Sequence, residues 1–149
     1  KSFNAAAVND KGLYTEDLKE GTGAEIKEDS SYYAYYVGWC ADESIFDSSF
    51  DSNDNPTALK EPLVVQDPQS MIEGWSQGIA GMHLGGVREL SVPGELAYKD
   101  SQEICGGTYS PLKFVVMALP QDEKLQMLYT AAENAYYQLL YTQYGMNGA

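Results

Sequence analysis

The first 119 positions carry apolar residues in short runs of strand length, and the remainder repeats them at helical spacing. Leu13 to Leu18 reads as a short strand, followed by a Gly21-Thr22-Gly23 turn. Ser31 to Cys40 is aromatic-rich and strand-like. On a strand, Tyr32, Ala34, Tyr36 and Cys40 share one side, while Tyr33, Tyr35, Val37 and Trp39 share the other. Ala41 to Ser44 forms a polar turn and Ile45 to Ser49 a short return segment. Phe50 to Lys60, rich in Asp, Asn, Ser and Pro, is expected to be a loop. Leu63 to Val65 and Gly86 to Val92 are further strands, the second stopped by Pro93-Gly94. Ser101 to Ser110 is a second polar loop. Pro111 to Leu119 is a strand with two apolar faces: Leu112, Phe114, Val116 and Ala118 on one, Val115, Met117 and Leu119 with Lys113 on the other.

Between these strands, Ile72, Trp75, Ile79 and Met82 recur at the spacing of one helical face. Residues 71 to 85 also contain four glycines, each costing about 0.8–1 kcal/mol relative to alanine inside a helix. Glycine at 74 and 78 implies that something approaches the backbone closely, and that Trp75 is presented to it. Gly81 is placed to end the helix in a left-handed conformation. A final helix is expected from Asp122, as cap, to about Tyr144, with Gly145 ending it. Strands, one short helix, more strands and one long helix make an α+β pattern with an antiparallel sheet.

Charge removes several classes of function. Nine basic and 22 acidic side chains leave a net charge of −13, which repels phosphate backbones and anionic membrane surfaces. No basic patch offsets it, so neither nucleic acid nor a membrane is an expected partner. No apolar run reaches the ~18 residues needed to span a bilayer. One histidine and two cysteines 65 positions apart do not make a zinc site, and no metal or cofactor is expected. The chain starts at Lys1 without an initiator methionine or an apolar signal, as a trimmed product would.

A set of short motifs then narrows the reading. Tyr36-Val37-Gly38 is followed by Phe46-Asp47-Ser48-Ser49, Pro62-Leu63 and Met71-Ile72-Glu73-Gly74-Trp75. Gly81-Met82-His83-Leu84-Gly85-Gly86, Val92-Pro93, Leu96-Ala97-Tyr98 and Leu112-Lys113-Phe114 complete it. In this order and at these intervals, over roughly residues 12 to 119, the chain resembles the FKBP-type peptidyl-prolyl cis–trans isomerases, the macrolide-binding family. The resemblance implies a curled antiparallel sheet wrapped around one short helix, here with an added C-terminal helix. It divides the chain into a flexible lead at 1–11, the isomerase domain at 12–119 and a helical extension at 120–149.

By the same resemblance, Trp75 floors an apolar pocket walled by Tyr36, Phe46, Leu63, Met71, Ile72, Tyr98 and Phe114. Asp47 stands at its polar rim facing the twisting carbonyl, and the Tyr98 hydroxyl is offered to a substrate carbonyl. An alternative role for Asp47 is as a turn acceptor ahead of Ser48-Ser49. Asp47, Tyr98 and Phe46 are thus the implied catalytic residues, and proline-containing polypeptides the implied partners, with macrolides such as rapamycin as further ligands. His83 falls on the turn after the helix, in solvent. Departures from the family pattern are Lys99 where glycine usually follows the tyrosine, Leu63 where an aromatic is common, and Ile104-Cys105-Gly106-Gly107 in place of an Ile-Pro stretch.

Two readings of different class follow: a proline isomerase acting as a folding helper, or a non-catalytic binding or chaperone module using the same pocket or its outer surface. Cys40 shares strand parity with Tyr36, and Cys105 lies on the loop that the family hangs over that side. A Cys40–Cys105 disulfide, pointing to an extracytoplasmic or secreted protein, is therefore expected; two free thiols in a cytoplasmic protein are the alternative. Last, Leu125, Leu128, Ala132, Ala135 and Leu139 form a stripe on the terminal helix, bordered by Tyr129, Tyr136 and Leu140. The helix is expected to fold back on the convex face of the sheet with its tyrosine hydroxyls at the wet edge. Pairing of two chains through that stripe is the rival.

Overall fold

The computed structural model describes residues 8, 11–52, 60, 62–67, 70–121 and 126–145. Its strands are β1 (Tyr14–Lys19), β2 (Tyr32–Trp39), β3 (Ile45–Ser48), β4 (Leu63–Val65), β5 (Val87–Val92) and β6 (Leu112–Leu119). Its helices are α1 (Glu73–Ile79) and α2 (Gln126–Tyr144). All pairings are antiparallel, in the order β1-β5-β6-β2-β3, with β4 also on β2. β3 and β4 share one edge of β2: Tyr32–Ala34 pair with β4, and Val37–Trp39 with β3. Except for Val8 and Lys11, the expected lead at 1–11 lies outside the described residues, as do 53–59 of the expected 50–60 loop.

The period-2 pattern of β2 and β6 sorts the interior into two cores. Tyr32, Ala34, Leu112, Phe114, Val116 and Ala118 face the concave side with Trp75, Ile79, Met82, Leu90 and Val92. Tyr35, Val37, Trp39, Val115, Met117 and Leu119 face the convex side with Tyr136 and Leu140 of α2. Every residue of β6 is buried, which explains why its sequence is apolar on both faces.

The glycines of α1 mark a close approach to the helix backbone, as expected. A Cβ at position 74 would collide with the Val92 side chain, and one at 78 would come within 2.9 Å of Leu90 Cδ2. What approaches the helix backbone is β5, its own sheet. The close seat leaves Trp75 and Ile79 fully buried between helix and strands. Gly81, at φ +86°, ends the helix as expected, and its amide donates to the Ile26 carbonyl at 2.9 Å.

On the convex side α2 lies over the sheet. The Tyr136 hydroxyl donates to the Val115 carbonyl at 2.7 Å, and Tyr144 stacks on Trp39 with ring centroids 5.1 Å apart. Tyr144 also donates to Glu89 Oε1 at 2.9 Å and lies under the Lys113 ammonium, 5.6 Å from its ring centroid. It thereby covers a buried Glu89–Lys113 pair 4.0 Å apart. Two expectations are corrected. Among the described side chains of α2, Tyr136 and Leu140 are the buried ones, and Leu139 of the expected stripe is only half-buried. And the Tyr136 hydroxyl is not at a wet edge: it is fully buried, because a sheet carbonyl has a free lone pair for it. Asp122 and Leu125, and the side chains of Leu128, Tyr129, Ala132 and Ala135, lie outside the described residues.

Candidate active site

The concave face carries a bowl built from aromatic edges. Trp75 is its buried floor, and its indole N–H donates to the Tyr32 hydroxyl at 2.8 Å. That bond settles the indole dipole without water and fixes the ring. Burial pushes the Tyr32 hydroxyl up to about 12, opposed by the Trp75 hydrogen bond. Tyr36 and Phe114 meet Trp75 edge-on at centroid distances of 5.6 and 5.7 Å, and Phe46 meets Phe114 edge-on at 5.7 Å. These T-shaped pairs place ring edges on ring faces, the arrangement aromatic quadrupoles favour. Leu63, Met71, Ile72 and Tyr98 are half-buried against the same core.

Gly38 makes room for the bowl. It pairs with Asp47 and Phe114 across β2, and a Cβ there would sit 2.7 Å from Phe46 Cε1 and 2.9 Å from Phe114 Cε1. Any side chain at 38 would displace both rings.

Beside these rings stand the polar groups of Tyr36, Asp47 and Tyr98. The Tyr36 hydroxyl donates to Asp47 Oδ2 at 2.6 Å, while Asp47 Oδ1 accepts the Ser48 amide at 2.9 Å. The exposed Asp47 therefore fills the turn-acceptor role with one oxygen and faces the bowl with the other. Tyr36 is held far above its ordinary value, first by burial and then by the Asp47 carboxylate, so it stays a hydrogen-bond donor. Tyr98 is raised by burial and, less, by Asp47. Among the described residues its hydroxyl has no hydrogen-bond partner, which leaves it available to a ligand.

A disulfide joins Cys40 to Cys105 with Cα atoms 5.6 Å apart. Next to Cys105, Ile104 packs half-buried on the concave core. Lys99, where the family usually has glycine, sits at φ +51°, the left-handed region that glycine reaches at no steric cost. His83 is exposed and donates through Nδ1 to the Gly23 carbonyl at 2.9 Å, so it serves the turn. Two surface clefts are also present, the first sharing Met71 with the wall of the bowl. One, of about 400 Å³, runs along α1 by Tyr32, Ser76 and Gln77, and the other, of about 490 Å³, lies by His83 and Arg88. Neither is lined by Asp47, Tyr98 or Phe114.

Comparison with known proteins gives the family of the chain. Residues 23–119 match the sequence profile of the FKBP-type peptidyl-prolyl cis-trans isomerase family. The chain belongs to that family. An FK506-binding protein of Neisseria meningitidis serogroup B is 36% identical over 88 residues, covering 58% of this chain and 74% of that protein. FK506-binding protein 4 of Dictyostelium discoideum is 34% identical over 99 residues, covering 66% of this chain and 25% of that one. Among solved structures, AtFKBP13 matches with a TM-score of 0.61 and 29% identity over 78% of this chain and 98% of its own. FkpA from Escherichia coli matches with a TM-score of 0.61 and 29% identity over 74% of this chain, but only 48% of its own.

FKBP family members are peptidyl-prolyl cis–trans isomerases, and the wall residues named from the resemblance come together in this fold. Tyr36, Phe46, Leu63, Met71, Ile72, Trp75, Tyr98 and Phe114 belong to or pack on one concave core, and Asp47 is tied to it through Tyr36. Reading the sequence did not single out Tyr32 as the indole's partner, Gly38 as the space for two rings, or Ile104 as a residue packed on the concave core. Tyr32 had a signal, since it shares strand parity with Tyr36. Ile104 had none beyond its place in the loop.

Proposed function

We propose that the bowl over Trp75 is where this chain rotates Xaa-Pro peptide bonds, with an apolar residue preferred before the proline. The observation that carries the reading is the Tyr98 hydroxyl, without a hydrogen-bond partner among the described residues, beside the Tyr36–Asp47 pair on a largely apolar aromatic core.

Rotation about a peptide bond must overcome about 18–20 kcal/mol because the C–N bond has double-bond character. Water bonded to the carbonyl oxygen favours the charge-separated resonance form that gives the bond this character. The Trp75, Phe46 and Phe114 rings exclude that water and hold the prolyl ring, so the planar amide loses more than the twisted one. Tyr98 donates to a neighbouring substrate carbonyl and fixes the peptide, while Asp47 faces the carbonyl that turns out of plane. Each ~1.4 kcal/mol of preference for the twisted state gives about tenfold in rate. No nucleophile is required, and no cofactor enters.

In this reading residues 12–119 form the isomerase unit and 120–149 its extension. The natural substrates are proline-containing polypeptides during folding, and macrolides of the FK506 and rapamycin type are ligands of the same bowl. The disulfide supports an extracytoplasmic site of action, because such bonds persist in oxidising compartments. Uncatalysed exchange takes tens to hundreds of seconds, so exchange NMR on a short Leu-Pro peptide tests the proposal directly. Acceleration at micromolar protein is expected. Peptide binding without acceleration would replace the proposal with a non-catalytic binding module.

A further inference from the structure

Two lips of the bowl come from separate parts of the sequence and are cross-linked. One is the turn between β2 and β3. There the Cys40 amide donates to Ser44 O at 2.8 Å and the Glu43 amide to Cys40 O at 3.0 Å, leading into the strand that carries Phe46 and Asp47. The other is the segment from Tyr98 to Ser110, whose Tyr98 and Ile104 pack half-buried on the concave core. Cys105, adjacent to Ile104, is bonded to Cys40.

Local preference does not hold that segment in its shape. Lys99, Cys105 and Tyr109 stand at φ +51°, +63° and +52°, a region that non-glycine residues rarely adopt. An exposed contact from Lys99 Nζ to Glu73 Oε1 at 3.4 Å ties its start to α1, and two further hydrogen bonds run inward: the Tyr109 amide to Lys99 O at 2.7 Å and the Ser110 hydroxyl to Ile104 O at 2.7 Å. The latter two close the loop on itself, whereas the disulfide fastens it to the opposite lip.

We infer that the Cys40–Cys105 bridge is a positioning element for substrate specificity: it sets the gap between Ile104 and Tyr98 on one lip and Phe46 and Asp47 on the other. The inference rests on the bowl being the isomerase site. A peptide entering a pre-set mouth does not have to order the loop. Loss of the bridge transfers that ordering cost to binding, most for substrates whose residue before proline touches Ile104. The floor, Trp75 with Tyr36 and Phe114, lies on the sheet and helix and is left in place.

The test measures kcat and KM for Ala-Pro, Leu-Pro and Phe-Pro peptides at a temperature where circular dichroism shows every form folded. The oxidised chain, the same chain reduced with dithiothreitol, and the Cys40→Ser/Cys105→Ser chain are compared. KM for the Leu and Phe peptides is expected to rise roughly two- to tenfold, the loss of one or two pre-ordered side chains, with kcat nearly constant. The discrimination between peptides should flatten, and reoxidation of the reduced chain should restore it. Ile104→Ala, which keeps the bridge, should flatten it too, and decides the matter if the cysteine variants do not fold. Unchanged KM and discrimination in a folded, unbridged chain, or an equal fall in kcat for all peptides, would overturn the inference. An oxidised chain inactive on all three peptides would instead remove the active-site reading beneath it.

Discussion

Replacing Tyr36 by phenylalanine keeps the ring that meets Trp75 at 5.6 Å and Phe114 at 6.4 Å, and deletes the hydroxyl that donates to Asp47 at 2.6 Å. A hydrogen bond to a charged group contributes about 1.5–3 kcal/mol, but Asp47 is exposed and water takes over most of the lost contact. The expected stability change is therefore about 1 kcal/mol or less, a Tm shift of roughly 2–4 °C for a chain of this size. Catalysis should lose more than that shift suggests if Asp47 must be aimed. A loss of 1–1.4 kcal/mol of transition-state preference lowers kcat/KM about five- to tenfold. Asp47→Asn removes the charge while keeping an acceptor for the Ser48 amide at 2.9 Å. A double-mutant cycle in the exchange assay then isolates the pair: on the Asp47→Asn background, Tyr36→Phe should cost almost nothing, giving a coupling of about 1 kcal/mol. Additive losses, or a Tyr36→Phe chain with unchanged kcat/KM, would show that Tyr36 does not aim Asp47 and that the carboxylate acts only on its own turn.

Further outcomes follow from the same structure. Leu140→Ala opens a cavity at a fully buried position between α2 and the sheet and should cost about 2–5 kcal/mol in urea unfolding. Tyr136→Phe should cost only about 1 kcal/mol, and both variants should keep their kcat/KM while folded; a stable Leu140→Ala chain would mean that α2 contributes little to the fold. At high pH, Tyr32, Tyr36, Tyr98, Tyr136 and Tyr144 are all held above the ordinary 10, chiefly by burial. Raised folded values mean that this stabilisation is complete below pH 10 and is lost as pH climbs toward the folded values, about 12 for Tyr32. The tyrosinate absorbance of these five should therefore appear together with unfolding in a cooperative step above pH 10, and a gradual titration of the buried Tyr32 and Tyr136 with the fold intact would contradict their burial.

The sequence by itself determined the strands, because alternation along β2 assigns each side chain to a face whatever lies beyond it. Tyr36 and Tyr32 had to share one side and Trp39 the other, and the two cores follow that division. The ordered motifs also named the bowl, since Phe46, Trp75, Tyr98 and Phe114 keep family spacing although they come from four separate segments. What a linear pattern lacks is the identity of the neighbour. Gly74 and Gly78 announced a close approach, but only the seat of α1 on β5 showed that Val92 and Leu90 were the approaching groups. The terminal helix carried apolar residues on more than one line, so its period left the buried face open. The Val115 carbonyl and the Trp39 ring decided that Tyr136, Leu140 and Tyr144 turn inward. Asp47 read as either a turn acceptor or a rim carboxylate; in the tertiary structure one oxygen accepts the Ser48 amide and the other the Tyr36 hydroxyl, because Tyr36, eleven positions earlier, arrives from the adjacent strand. Periodicity records which way a residue faces; the partner it meets there depends on how separate elements pack in three dimensions.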